Sequence, residues 1–394
     1  MFKKATLKTL FKLWDKGSFS VVFWDGEEVA YGSGKSAFKI IFHQEPKLND
    51  VKKNLVLTLG EAFMDGIIDF EGSLDDVIAT LFKNNGNEAK IDFHLKDLAH
   101  QLKEIDEVIE SKNIHKHYDL GNDFFALWLD KTMSYSCAYF KTQADTLEQA
   151  QLQKIDHSLK KLNLNKNEHL LDIGCGWGWL AIRAAQQYKV HATGITLSKE
   201  QYEGARSRVH EFGLDELVDI RLANYMDMDP KQEKFDKIVS IGMFEHVGKK
   251  YLPLYFSKVN ALLKENGTFL LHSIMANFES PTNSWIKTYI FPGGYVPTLR
   301  ETMQLLPEFD FHVLHTESLR LHYAKTLDCW NSNFQQKLPE VRKLLYDERF
   351  IRMWGLYLSG CASAFRTGGI DIYQCLLTKG IDNNIPMTAD YMYK

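Results

Sequence analysis

The chain has 394 residues, 13% of them aromatic, and its 51 acidic and 47 basic side chains leave a formal net charge of −4. That length exceeds one typical core, so two domains are expected, and the composition is that of a soluble globular protein. The charge balance excludes a global drive toward nucleic acid, and the sequence holds no apolar run long enough to span a bilayer.

Residues 1 to about 16 are basic and amphipathic, with Phe2, Leu7, Leu10, Phe11 and Trp14 on one helical face among five lysines. Two readings are open: a helix packed on its own domain, or an interfacial helix on anionic lipid. The opening Met1-Phe2-Lys3-Lys4 lacks the apolar core of a signal peptide. From Gly17 to Phe42 the pattern is β-like, with turns at Asp25-Gly26 and Gly32-Ser33-Gly34. Ser73 reads as the N-cap of a helix through Phe82, which completes a small α+β domain over residues 1–82. The polar segment Lys83 to Lys90 reads as a linker, and a charged helix follows from about His94 to Ser111.

A second domain is expected over residues 114–394, after a linking region at 83–113. Strand and helix signals alternate there, with strands expected near 168–174, 190–196, 218–223, 237–243, 267–274, 311–319 and 370–377. The last alternates apolar and polar residues, as an edge or antiparallel strand would. The expected fold class is therefore α/β, with a seven-stranded mixed sheet. The five cysteines (Cys137, Cys175, Cys329, Cys361 and Cys375) are odd in number and form no CxxC pair. Reduced thiols in a cytosol fit better than a disulfide framework, and no metal site is expected.

The stretch Leu170-Leu171-Asp172-Ile173-Gly174-Cys175-Gly176-Trp177-Gly178 is a strand, a glycine turn and the start of a helix. A dinucleotide site would need GxGxxG and a carboxylate about 20 residues on. Here the third glycine comes early, and the next strand ends in Thr196-Leu197-Ser198 with no acid. NAD is disfavoured, and ATP lacks the Walker lysine. GxGxG after an acidic strand end is the pattern of Rossmann-like class I enzymes that use S-adenosylmethionine (SAM). Ribose hydroxyls would meet Thr196, Ser198 or Gln201.

Further stretches carry a family resemblance: His117-Tyr118-Asp119-Leu120, Tyr135-Ser136-Cys137-Ala138-Tyr139-Phe140, Gly242-Met243-Phe244-Glu245-His246-Val247-Gly248, His272-Ser273-Ile274, Phe291-Pro292-Gly293-Gly294 and His322-Tyr323-Ala324-Lys325-Thr326-Leu327. In order and in combination the chain resembles the cyclopropane-fatty-acyl-phospholipid synthases and mycolic acid cyclopropane synthases. Leu59-Gly60-Glu61 and Met64-Asp65-Gly66 resemble the N-terminal domain of the two-domain bacterial members.

The resemblance implies a SAM-dependent methyltransferase that adds a methylene to the double bond of an unsaturated phospholipid acyl chain. In that chemistry the alkene attacks the sulfonium methyl, and loss of a proton from the new methyl closes the ring. The site must exclude water, hold π faces near a cation and place a base by the methyl. By resemblance the base is bound bicarbonate, cradled by Cys137, Glu245, His272, Ile274 and Tyr323. His and Tyr side chains and the backbone N–H groups of Cys137 and Ile274 would donate, and Glu245 would accept the bicarbonate hydroxyl. Glu245 and His272 fall at the C-terminal ends of two expected strands, where α/β ligand sites form. Cys361 matches a family cysteine, but an alkene nucleophile requires no thiolate.

The SAM positions implied are Tyr135, Ser136, Asp172, Gly174, Gly176, Gly178, Thr196, Leu197, Ser198, Gln201, Asn224, Tyr225 and Met226. Many relatives carry Asp at Asn224, whose amide can still bond the adenine edge. Tyr225 would cover the adenine face, and His117 with Tyr118 would form a lid. The segment Trp285 to Tyr295 suits either an acyl-channel wall or an aromatic packing loop. The implied partners are a phospholipid bilayer surface met peripherally from the cytoplasm and a second copy in a homodimer, with no nucleic acid. The alternative outcome is methyl transfer to a lipid alkene or small molecule without ring closure.

Overall fold

The computed structural model describes residues 2–46, 55–92, 121–279, 283–345 and 347–394. The expected helix near 94–111 and the His117-Tyr118 lid lie outside the described residues.

The N-terminal part runs α1 (Phe2–Lys12), β1 (Phe19–Val22), β2 (Glu28–Tyr31), β3 (Phe38–Phe42), α2 (Leu55–Met64), β4 (Ile68–Gly72) and α3 (Leu74–Asp92). Its sheet has the order β2-β1-β3-β4. Leu7, Phe11 and Trp14 are buried in this domain's own core, where the Phe19 and Phe38 rings stack 5.2 Å apart. Lys4 and Lys8 lie 2.5 Å from Asp25 and Glu27. The apolar face of α1 therefore packs inward, which is the first of the two readings left open above.

Helix α3 continues through the polar segment 83–90 that reads as a linker. The buried Asn84 explains part of this extension. Its amide donates to the carbonyl of Lys16 at 2.8 Å and accepts the Lys16 N–H at 3.1 Å, so a polar residue anchors the helix to a distant turn.

The second part runs α4 (Asn122–Ala126), α5 (Leu147–Leu162), β5 (His169–Ile173), α6 (Trp179–Tyr188), β6 (His191–Thr196), α7 (Lys199–Glu211), β7 (Val218–Leu222) and β8 (Phe235–Ile241). It continues with α8 (Leu252–Leu262), β9 (Leu263–Ala276), α9 (Ser284–Tyr289), α10 (Leu299–Leu305), β10 (Phe311–Ser318), α11 (Arg320–Gln336), α12 (Leu338–Leu345), α13 (Glu348–Thr367), β11 (Ile370–Lys379) and α14 (Asp390–Tyr393). A capping box between Thr146 and Gln149 opens α5, and Asn163 closes it in the left-handed region.

All seven expected strands form, in the order β10-β11-β9-β8-β5-β6-β7. β7, β6, β5, β8 and β9 are parallel. β11 is antiparallel and sits between β9 and β10, so it is an interior strand, and β10 is the edge. The chain winds outward from β5 through β6 to β7, then returns to β8 on the other flank of β5. The crevice between the C-terminal ends of β5 and β8 is thus the topological switch point, where α/β sheets bind ligands.

The sequence motif around Gly60 forms the seam between the two parts. The Trp285 ring N–H points at Met64 Sδ (3.2 Å) and Tyr289 donates to Glu61 (2.6 Å). Arg349 pairs with Asp65 (2.7 Å), and Arg352 reaches the Ile68 carbonyl (3.1 Å) and Asp69 (2.6 Å). A Cβ on Gly60 would stand 2.3 Å from Trp285 Cδ1. Helix propensity alone makes Gly60→Ala stabilising by about 1 kcal/mol. Overpacking at the seam reverses the sign, and a net loss of about 1–3 kcal/mol is expected. Thermal denaturation decides it: a raised Tm would mean that Trp285 is free to move aside.

Candidate active site

The turn after β5 places Gly174, Gly176 and Gly178 at φ 83°, 54° and 84°. The Gly174 and Cys175 N–H groups donate to the Ile195 carbonyl at 3.0 and 2.9 Å, which ties the turn to the end of β6. A cavity opens above it at the switch point. Of the positions expected to hold SAM, Tyr135, Ser136, Asp172, Gly174, Gly176, Thr196, Leu197, Gln201, Asn224 and Tyr225 line that cavity.

Three residues of the same set do not line it. Gly178 is the N-cap of α6 and meets α7, where an added Cβ would lie 3.0 Å from Ala205 Cβ. Ser198 caps α7 by accepting the Gln201 N–H at 3.3 Å. The Met226 N–H donates to Asn224 Oδ1 at 3.0 Å and so fixes that amide. Thr196 donates to Gln201 Oε1 at 2.7 Å, so the two candidate ribose contacts orient each other.

Sequence reading missed Lys154, Met243 and His246 as lining residues. Lys154 Nζ donates to Ser136 Oγ at 2.7 Å. Burial pulls Lys154 down to about 8 and pushes Asp172 up to about 7. Burial also lowers His246 to about 4, so it faces the cavity uncharged. Lys154 carried no signal in sequence, because a lysine in an amphipathic helix reads as surface.

A second cluster lies outside that lining. Glu245 sits in a short turn after β8, and Ile274 lies two residues beyond His272 on β9. The Ile274 N–H donates to Glu245 Oε1 at 2.6 Å, so this donor, expected to meet an anion, here orients the carboxylate. The Tyr295 N–H holds the Glu245 carbonyl at 3.0 Å. Burial raises Glu245 to about 7 against the pull of the Ile274 N–H.

Tyr323 is within electrostatic reach of Tyr135, Cys137, Glu245 and Cys361, and burial holds its hydroxyl well above its usual range. Cys137 is buried with its thiol pushed up, and Cys361 rises to about 12, so both are neutral thiols. No two cysteines of the chain are bridged.

Aromatic rings close around this cluster. Tyr323 lies 4.6 Å from Phe365, and Phe291 lies 5.8 Å from Tyr357. The Tyr135 and Tyr357 hydroxyls meet at 2.7 Å, a contact sequence reading did not foresee. The Trp285 to Tyr295 segment serves two purposes. Its first half packs on α2, and its second half borders Glu245, His246 and Tyr357.

Two polar atoms in the cluster have no partner among the described residues: Glu245 Oε2 and His272 Nε2. A buried polar atom left unpaired costs about 1–3 kcal/mol, so both atoms call for a polar partner that the described side chains do not supply.

Residues 106–375 match the family model described as mycolic acid cyclopropane synthetase. The chain belongs to this family. Residues 6–91 match a second model, described as a domain of unknown function (DUF7884). A probable fatty acid methyltransferase of Pseudomonas putida is 37% identical over 94% of this chain and 95% of its own length. The cyclopropane-fatty-acyl-phospholipid synthase of Escherichia coli K12 is 39% identical, over 84% of this chain and 85% of its own. Among solved structures, mycolic acid cyclopropane synthase CmaA1 complexed with SAH and CTAB is 38% identical, with a TM-score of 0.64. That match spans 68% of this chain and 98% of CmaA1.

The family and the fold make the protein a SAM-dependent methyltransferase. The cavity suits SAM, with small residues at the turn for the amino-acid moiety and Thr196 with Gln201 for hydroxyls. Bound there, SAM supplies an electrophilic methyl. Outside that cavity, Glu245 Oε2 and His272 Nε2 remain without a partner among the described residues.

Proposed function

We propose that the enzyme transfers a methylene group from SAM to the double bond of an unsaturated phospholipid acyl chain, with bicarbonate held by the Glu245–His272 cluster as the base. The unpaired Glu245 Oε2 and His272 Nε2 carry this reading, because together they suit an anion that also bears a hydroxyl. When bound there, bicarbonate supplies a proton acceptor that is not covalently part of the chain. His272 would donate to it, and ionised Glu245 would accept its hydroxyl. Tyr323, Tyr135, Tyr357 and Phe291 exclude water and offer π faces to the developing positive charge.

Among the described residues no helix is long and apolar enough to cross a membrane. In this reading the phospholipid substrate is met from the side, at the inner face of the cell membrane. A homodimer would set two such sites on one surface. The apolar face of α1 is already buried, so membrane contact falls to other surfaces.

A second reading has its own support. The relative from Pseudomonas putida that matches nearly the whole chain is named a fatty acid methyltransferase. The deciding experiment is incubation with SAM and unsaturated phospholipid vesicles, followed by lipid mass spectrometry. Ring closure adds one CH2 per chain with loss of the double bond. A methyl-branched alkene, formed by proton loss from a neighbouring carbon, has the same mass but keeps a double bond that ozone cleaves, and that product would overturn the cyclopropane reading.

A further inference from the structure

Behind His272 lies a chain of buried polar groups. Lys161 is 1% exposed, and Ser158, His272 and Gln374 are 0% exposed. Gln374 on β11 stands directly opposite His272 on β9. The protons along this chain can be placed one by one. Lys161 Nζ has only donors, and it donates to Gln374 Oε1 at 2.7 Å and to Glu317 Oε2 at 2.5 Å. This fixes which end of the Gln374 amide is oxygen. The amide nitrogen then lies 3.2 Å from Ser158 Oγ and 3.1 Å from His272 Nδ1. Ser158 gives its own proton to the Lys154 carbonyl at 2.8 Å, so its oxygen accepts. His272 Nδ1 must accept as well, and carries no proton.

Burial, with the charges of Lys154 and Lys161, holds the His272 pKa well below its usual value. The ring is neutral, and its one proton falls on Nε2, the atom without a partner among the described residues. We propose that Lys161 and Gln374 are positioning residues that lock His272 as the Nε2–H tautomer, so that it presents a donor and no lone pair to the cluster. Its bearing on catalysis rests on the bicarbonate reading above. A locked donor binds an anion and cannot compete with it as the base. Lys161 in turn is held by Glu317, which its hydrogen bonds from His157 and Lys161 keep ionised, down to about 2, against the opposing effect of burial.

The test is nitrogen NMR of the full chain with ring-labelled histidine, the His272 signals being assigned by their loss in His272→Asn. Expected, without added bicarbonate, are a pyrrole-like Nε2 and a pyridine-like Nδ1. A protonated Nδ1 in the wild type overturns the proposal, and that spectrum decides even where a variant fails to fold. In Gln374→Glu, nearly equal in shape but an acceptor, Nδ1 is expected to gain a proton, and an unchanged Nδ1 overturns the proposal. In Gln374→Leu the bicarbonate concentration for half-maximal turnover is expected to rise about tenfold, with KM for SAM unchanged. If bicarbonate affects neither protein while the tautomer is as stated, the base reading fails and the positioning role stands.

Discussion

Glu245→Gln is expected to lower turnover by about 10²–10⁴-fold while SAM affinity stays within about twofold. The substitution keeps the volume and the Oε1 acceptor for the Ile274 N–H. It replaces the unpaired Oε2 by an NH2 group, so a donor faces the hydroxyl of the anion. SAM affinity is spared because Glu245 does not line the cavity above the glycine turn. The pH profile carries the same prediction further. Burial raises Glu245 to about 7, and only the ionised form accepts. Wild-type kcat is therefore expected to fall as pH drops through about 7, and the residual activity of the Gln variant to stay flat there. His246, near 4, and His272, well below its usual value, cannot produce such a limb. Asp172 also lies near 7 but lines the SAM cavity, so its titration moves KM for SAM instead. Calorimetry with SAM and turnover at fixed bicarbonate ion concentration separate the two. Lost SAM affinity, or unchanged turnover, would remove Glu245 from the role given to it.

The sheet was legible in sequence because breakers separate most of the strands and β5, β8 and β9 each carry a buried apolar run. Alternation along Ile370 to Leu377 suggested an edge or an antiparallel strand; the strand is antiparallel but not an edge, lying between β9 and β10, since alternation says nothing about neighbours. Polar composition at 83–90 suggested a linker because the partner that anchors Asn84 is the backbone of Lys16, far away in the chain. The amphipathic pattern of α1 is the same for a helix on lipid and a helix on its own sheet. Only the placement of Phe11 and Trp14 separates them.

The site was legible where motifs are local. The glycine turn and Thr196 to Gln201 stand at strand ends, and the cavity forms there, while Glu245 follows β8 in a short turn outside its lining. The polar support behind His272 was not. Gln151, Lys154, Ser158 and Lys161 form a stripe at helical spacing on α5, which reads as a solvated face. All four are buried, because that face of α5 lies over the sheet carrying His272 and Gln374. A lysine stripe becomes interior only when acceptors from other elements meet it, and Glu317 and Gln374 come from β10 and β11.

Gly176→Val is expected to weaken SAM binding by at least about 100-fold with a modest loss of stability. Gly176 is at φ 54°, where a β-branched residue is strained by about 1–2 kcal/mol. A Cβ placed there meets nothing within 4 Å, and the residue lines the cavity, so the valine methyls enter the space the cofactor needs. Gly176→Ala adds the same strain with less bulk, and about a tenfold loss is expected. Gly178→Ala sorts differently. Its Cβ would press on Ala205 at 3.0 Å outside the cavity, so it lowers Tm more than affinity. Calorimetric titration with S-adenosylhomocysteine, alongside thermal melts of the three variants, reads both effects. If Gly176→Val binds as the wild type does, the turn after β5 is a structural corner, and the cofactor must be seated elsewhere along the cavity.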